Sequence, residues 1–339
     1  MCGISGRIIV GGGPVGRDIV AMAACMRHRG PDSTGFAVYG PPRERGFVVR
    51  GFLADRGALG GALESFLAVT RSAGSDLLAD PTWDDTAQQH VLLRAEVDDI
   101  DDLGAWTLAV ESAAGIAIQS VGRSLEIVKD VGDAREVDVK HNVSAMTGTH
   151  ALSNMRLATE SLVSPTASHP FWARPFPDVC IVHNGQLTNY YKWRRRLEQH
   201  GYRFSSDNDS ELIAVWNSVQ MQAGLTLQES LRASLAELDG VFTYLLGTAN
   251  GIGMAKDRFA LKPLAAVERA GGLALATEEQ ALRALYRDET PVLNYDGPSL
   301  TAVWPISGPP VSATTVSPTT GSPTTGSSTT GSSTTGRAA

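Results

Sequence analysis

Apolar positions along the chain fall first into strand-like runs. Residues 3–10, GISGRIIV, are rich in β-branched side chains and read as a strand. After a glycine turn, residues 17–27 place Ile19, Val20, Ala23, Ala24 and Met26 at helical spacing, which predicts a helix packed on a sheet. A tight loop, Arg29-Gly30-Pro31-Asp32-Ser33, leads to two short runs at 35–39 and 46–52 that predict a hairpin. Over residues 77–131 the rhythm changes to that of a small α+β insert. Its parts are a strand at 90–97, a helix at 99–114 with an acidic first turn, and two strands split by Gly122-Arg123.

Strand-like sequence resumes at 147–155 and 179–183, and helical spacing at 188–200, 209–221 and 226–238. Four short strands follow, at 242–247, 251–256, 263–267 and 273–276. Thr277 and Gln280 have the spacing of a capping box and open a last helix. Strands in batches, separated by helices in batches, argue for α+β layers over a doubly wound parallel sheet.

The carboxyl-terminal pattern changes how the length of 339 residues is used. From Ser317 to Gly336 a five-residue unit repeats four times, twice as SPTTG and twice as SSTTG. Such residues cannot offset chain entropy by burying apolar surface, so 311–339 is expected to be a disordered tail. About 310 residues remain to fold, expected as one catalytic domain over 2–310 carrying the insert at 77–131.

Charge and cysteine content narrow the chemistry. The net charge of −7 gives no general attraction to nucleic acid or anionic lipid. Three scattered cysteines, Cys2, Cys25 and Cys180, cannot form a disulfide framework and point to a reducing compartment. Cys25 and Cys180 lie in apolar surroundings and read as buried core. Arg7, Arg17 and Asp18 interrupt the stretch where a signal peptide would be apolar, so a cytoplasmic protein is expected. No apolar run approaches the ~20 residues of a membrane span. The seven histidines show no metal-ligand spacing, and the acidic run Asp98, Asp99, Asp101 and Asp102 reads as a helix N-terminus in preference to a cation site.

Two candidate motifs compete. Gly11, Gly13 and Gly16 satisfy G-x-G-x-x-G between a strand and a helix, the setting of a dinucleotide site. Pro14 removes an N–H from that loop, and Asp32 precedes the second strand where the ribose-binding acid should end it, so the triad reads as a turn. The other candidate is Cys2, followed by Gly3. Removal of the initiator methionine, which is efficient before small residues, would place a thiol and a free α-amino group on one residue. An amine of pKa ~7.7–8.0 suits a general base at neutral pH, so such a nucleophile brings its own base.

MCGISG, RHRGPDSTG, MRLATES, SHPF, HNGQLTN and SDNDSELIA, in this order, together with KDRFALKPL and ATEEQAL, resemble the class II glutamine amidotransferases. The resemblance covers most of residues 1–290 and implies the four-layer αββα sandwich of N-terminal-nucleophile hydrolases. Within that family the chain is most like small stand-alone subunits related to the amidotransferase domain of glutamate synthase, including that of N-methylglutamate synthase. It implies Cys2 as nucleophile, with the Asn184 amide and the Gly185 N–H as oxyanion donors. Arg156, with Thr159 near it, matches the carboxylate-binding arginine, and Asp209 the acid that pairs with the substrate ammonium, although Asp209 also fits a helix N-cap. Arg29, Asp32 and His183 take supporting roles. Asn154 and Glu160 depart from the family pattern, and His169 reads equally as a structural histidine or a ligand contact.

No P-loop, phosphoribosyl motif or flavin barrel is present, so the acceptor of ammonia is expected on another chain. The resemblance implies no cofactor in this chain, and a hetero-oligomer with synthase subunits that carry FMN and iron–sulfur clusters. Two rivals stay open: a catalytically silent subunit of such a complex, and an N-terminal-nucleophile amidohydrolase acting on another amide.

Overall fold

A computed structural model describes residues 2–84, 90–157, 164–286, 289–307 and 311–315. The strand Gly3–Gly13 lies inside a seven-stranded sheet, ordered Leu293–Asn294, Ala265–Arg269, Gly272–Ala276, Gly3–Gly13, Gly148–Arg156, Ser33–Tyr39 and Leu125–Val131. A six-stranded sheet runs Val311–Thr315, Leu300–Pro305, Gly251–Lys256, Gly240–Thr248, Cys180–Leu187 and Phe171–Trp172. Neighbours in both sheets pair antiparallel.

Period-2 alternation assigns the two faces of each strand to different cores. In Ser33–Tyr39, Ala37 and Tyr39 point into the core between the sheets, while Phe36 and Val38 point to the outer core. Gly240–Thr248 divides likewise, with Leu245 between the sheets and Phe242, Tyr244 and Leu246 outward. The sheets meet closely at Gly6, where an added Cβ would stand 3.3 Å from Leu152, Leu245 and Ile252 side chains. Helices Val15–Cys25, Ala134–His141 and Glu279–Arg283 cover the outer face of the seven-stranded sheet. Helices Tyr190–Gln199, Asp209–Gln222 and Leu227–Glu237 cover the other. The result is the four-layer αββα sandwich.

A separate four-stranded sheet, ordered Leu77–Asp84, Val91–Val97, Phe47–Leu53 and Ala117–Gly122, packs with helices Leu59–Ser72 and Leu103–Ala114. Two expectations are corrected here. The runs at 35–39 and 46–52 do not form a hairpin: Ser33–Tyr39 has both edges filled by Gly148–Arg156 and Leu125–Val131, so Phe47–Leu53 pairs in the small sheet instead. The small unit is therefore not 77–131 but begins at Phe47 and ends at Gly122, because Leu125–Val131 belongs to the large sheet.

Smaller corrections follow the same logic of long-range partners. Thr277 caps no helix: its hydroxyl accepts from Ile4 N at 2.9 Å, and the last helix starts after Glu278. Gly11 and Gly13 prolong the first strand, which is antiparallel to both neighbours, so the parallel βαβ setting of a dinucleotide fingerprint is absent there. Cys180 is buried, but Cys25 is only half-buried. No described helix is long and apolar enough to cross a membrane. The tail expected over 311–339 is corrected at its start, because Val311–Thr315 pairs with Leu300–Pro305 as an edge strand; the chain from residue 316 lies outside the described residues.

Candidate active site

Cys2 stands at the start of the first strand, half-buried. Gly3 pairs with Met155 and Ile4 with Asn154, so continuing the register by one residue puts Cys2 beside Arg156. Burial pushes the Cys2 thiol up, against the opposing effects of the Leu157 N–H and of the Arg156 and Lys262 charges. A thiol held above its ordinary value is protonated at neutral pH and needs a base to become the nucleophile.

The strand end is clamped from several sides. Ile4 is held at both polar groups by Thr277, whose hydroxyl accepts from Ile4 N and whose N–H donates to Ile4 O at 3.0 Å. The loop after the helix Val15–Cys25 packs so tightly that a Cβ on Gly30 would lie 2.3 Å from the Arg156 carbonyl carbon and 2.5 Å from Leu157 N. Arg29 lies against Gly3, and its guanidinium pairs with Glu278, which also meets His28 at 3.0 Å. The Asp32 carbonyl accepts from Gly132 N at 3.1 Å, tying the far end of this loop to the sheet edge.

The second sheet supplies His183, Asn184 and Gly185 from the strand Cys180–Leu187. Asn184-Gly185 thus lies within a strand. Gly185 has φ 147°, and a Cβ there would stand 2.0 Å from Val241 O, so only glycine fits. Asn154 donates from Nδ2 to His183 O at 3.1 Å, which ties this segment to the strand pair that ends at Cys2. Asn184 is 2% exposed, and its Nδ2 has no hydrogen-bond partner among the described residues. A buried amide donor left unpaired is costly unless something else is to occupy its acceptor position.

Asp209 is the first residue of the helix Asp209–Gln222, but Asn208 takes the N-cap, accepting from Ser210 N at 2.9 Å. The carboxylate is thereby left to turn elsewhere: Oδ2 accepts from Leu187 N at 2.8 Å, and Oδ1 lies 3.6 Å from His183 Nδ1. Burial alone would raise the Asp209 carboxyl, but His183 and the Leu187 N–H outweigh it and hold it below its ordinary value. Ser210 Oγ lies 2.8 Å from His183 Nδ1 and 3.3 Å from His169 Nε2, joining the two imidazoles. Burial, and then His183, hold His169 well below its ordinary value, so it is neutral.

The structure therefore brings Cys2, Arg156, Arg29 and the His183-Asn184 segment to one end of the sheet pair, with Asp209 beside His183. Thr159 and Glu160 lie outside the described residues. Ser210 and Lys262 were not singled out by the sequence; both sit in motif segments, SDNDSELIA and KDRFALKPL. The acidic run around Asp102 is a helix start: Asp102 accepts from Ala105 N, while Asp98 pairs with Arg45 and Asp99 with Arg123. Among the described residues, no group of three His, Cys, Asp or Glu could hold a metal ion.

A glutamine amidotransferase domain profile matches residues 154–284, which include Arg156, Asn184, Gly185, Asp209 and Lys262. A putative glutamine amidotransferase of Methanothermobacter thermautotrophicus is 33% identical over 289 residues, 84% of this chain and 93% of that protein. The chain belongs to the class II glutamine amidotransferases. The glutamine amidotransferase-like protein GlxB of Rhizobium meliloti is likewise 33% identical, over 83% of this chain and 91% of its own length. Among solved structures, the glutamine phosphoribosylpyrophosphate amidotransferase of B. subtilis aligns with TM-score 0.57 at 16% identity, over 89% of this chain. This chain matches 47% of that one, so the likeness concerns the amidotransferase fold alone. Family members hydrolyse glutamine with an N-terminal cysteine.

Proposed function

We propose that the protein hydrolyses glutamine at Cys2 and delivers the ammonia, in the cytoplasm, to a separate glutamate-synthase-like subunit carrying FMN and iron–sulfur clusters. The observation that supports the catalytic part is the buried Asn184 amide, unpaired among the described residues, next to His183, whose carbonyl is tied by Asn154 to the strand pair that ends at Cys2. The free α-amino group of Cys2 takes the thiol proton, and Sγ attacks the side-chain amide carbon. Asn184 Nδ2 and the Gly185 N–H receive the negative charge that develops on the amide oxygen. The proton passes to the departing nitrogen, which leaves as ammonia, and water then cleaves the γ-glutamyl thioester to give glutamate and restore the thiol.

Arg156, with Thr159 beside it in sequence, binds the substrate α-carboxylate, for which a planar guanidinium fork is suited. Asp209, held as a carboxylate, pairs with the α-ammonium. Arg29, Asp32 and His183 hold these groups in place. Assembly with that subunit as a hetero-oligomer is part of the same proposal.

A Cys2→Ala variant is expected to lose glutaminase activity, read as ammonia release, and an electrophilic glutamine analogue is expected to label Cys2 of the processed wild type. Correctly processed protein that stays unlabelled and inactive with its partner present would instead be a silent subunit. Turnover of asparagine or N-acyl amides in preference to glutamine would make it a different amidohydrolase.

A further inference from the structure

Ser210 is 1% exposed and has no part in the assignments above, yet its hydroxyl meets three ionisable side chains. Oγ lies 2.8 Å from His183 Nδ1, 3.3 Å from His169 Nε2 and 3.4 Å from Asp209 Oδ1. A serine hydroxyl carries one proton, so it donates to one of these groups at a time and any other bond it makes is one it accepts. Its position is fixed from both sides. Ser210 N donates to Asn208 Oδ1 at 2.9 Å, and Lys129 Nζ bonds the carbonyls of Ser168 and Pro170, which flank His169.

Asp209 decides which way the protons run. It is held as a carboxylate, and its Oδ1 stands 3.6 Å from His183 Nδ1. A bare ring nitrogen turned towards a carboxylate would set a lone pair against negative charge, whereas an N–H is attracted to it, so Nδ1 carries the proton. That N–H reaches the serine first. Oγ accepts it at 2.8 Å, while 3.6 Å to Oδ1 lies beyond hydrogen-bond range. The serine proton is left for His169 Nε2 or Asp209 Oδ1.

This arrangement keeps one carboxylate oxygen in reserve. Oδ2 is taken by Leu187 N at 2.8 Å, but among the described residues Oδ1 has no donor nearer than Oγ at 3.4 Å. The Asp209 side chain is 21% exposed against 1% for that of His183, so the carboxylate is the more open of the two to a ligand. Without Oγ, the His183 N–H would turn to Oδ1, where a shift of about 0.7 Å makes a charge-assisted bond of ~2.9 Å. We infer that Ser210 is a positioning residue for substrate specificity: by engaging the His183 N–H it keeps Asp209 Oδ1 free for the α-ammonium of glutamine. The inference rests on the reading above in which Asp209 pairs with that ammonium.

Equilibrium titration of the full chain carrying Cys2→Ala, which removes turnover, tests this with glutamine and with glutaramate, the same amide and carboxylate without the α-amino group. The ratio of the two dissociation constants isolates the ammonium contact, and a loss of folded protein does not move it. Ser210→Ala is expected to shrink the preference for glutamine roughly tenfold, the worth of one charge-assisted hydrogen bond, and to leave glutaramate binding within about twofold. Asp209→Asn should shrink the preference at least as far, and Ser210→Ala added to it should change the ratio no further, because the serine acts through that carboxylate. With Cys2 intact, Ser210→Ala should raise KM for glutamine and change kcat little. A ratio that Asp209→Asn lowers but Ser210→Ala leaves unchanged would overturn the inference while the Asp209 reading stands, as would an undiminished Ser210→Ala effect in the Asp209→Asn chain. A ratio unchanged by either variant, or no glutamine binding by the parent chain, would overturn that reading and the inference with it.

Discussion

Asn184 keeps a side-chain donor buried and unpaired in the resting enzyme, at a cost of about 1–3 kcal/mol. In the oxyanion role proposed for it, a donor that is already desolvated returns part of this resting cost in the transition state. Replacing Asn184 by Ala is therefore expected to lower kcat by roughly 10²–10³-fold while KM for glutamine changes little. Steady-state ammonia release together with a thermal melt checks this, and a melting temperature at or above that of the wild type separates lost catalysis from lost fold. Asp209 shows how far a single position could be read. Its place at a helix start was legible, but the N-cap role that also fitted it belongs to Asn208. Ser210 was not legible, because its partners His183 and His169 lie 27 and 41 residues away in sequence.

At the scale of elements, the spacing of apolar residues located most strands and helices but not their neighbours. The two short runs after the first helix have equally good strand patterns, yet one is buried on both faces in the sandwich and the other joins the small sheet. Pattern reports burial, whereas pairing depends on which edges remain open. The glycine triad illustrates the reverse case, a motif whose real cause is packing. Gly16 lies in the first turn of the helix Val15–Cys25, where a Cβ would stand 2.1 Å from Val143 O and 2.7 Å from Met146 O. Helix propensity alone would make Gly16→Ala stabilising by about 0.5–1 kcal/mol. Two backbone oxygens cannot yield as a flexible side chain could, so the clash wins and a net loss of about 1–3 kcal/mol is expected. Urea unfolding of Gly16→Ala measures the sign; a raised midpoint would refute the packing account.

Across the whole molecule, the layer order was legible because several family motifs stand in one order along the chain, while the seam between the sheets was not. That seam is polar at particular points. His150, on the strand Gly148–Arg156, lies 2.8 Å from Thr248 O of the other sheet through Nε2 and 2.9 Å from Thr149 Oγ1 through Nδ1, and it stacks on Tyr39 at 3.9 Å. A neutral ring that donates from Nε2 and accepts at Nδ1 satisfies both contacts; a second proton would reverse the latter, with Thr149 Oγ1 accepting, and place a charge in the seam. Burial lowers His150 from the ordinary 6.5 to about 4, against the smaller opposing effect of Thr248 O. Between those values the unfolded chain binds a proton that the folded chain refuses, so stability falls as pH drops from 6.5 towards 4. The loss from this one ring is roughly 3 kcal/mol, and His169, also held low, adds a second of the same sign. Asp130, held down at about 2, loses its contribution only below the ordinary carboxylate value of 3.8, so the first acid loss belongs to the histidines. Denaturant midpoints at pH 7, 5.5 and 4.5 should fall steadily in the wild type and more shallowly in His150→Gln, which cannot titrate; wild-type midpoints that stay level across this window would contradict a neutral, buried seam.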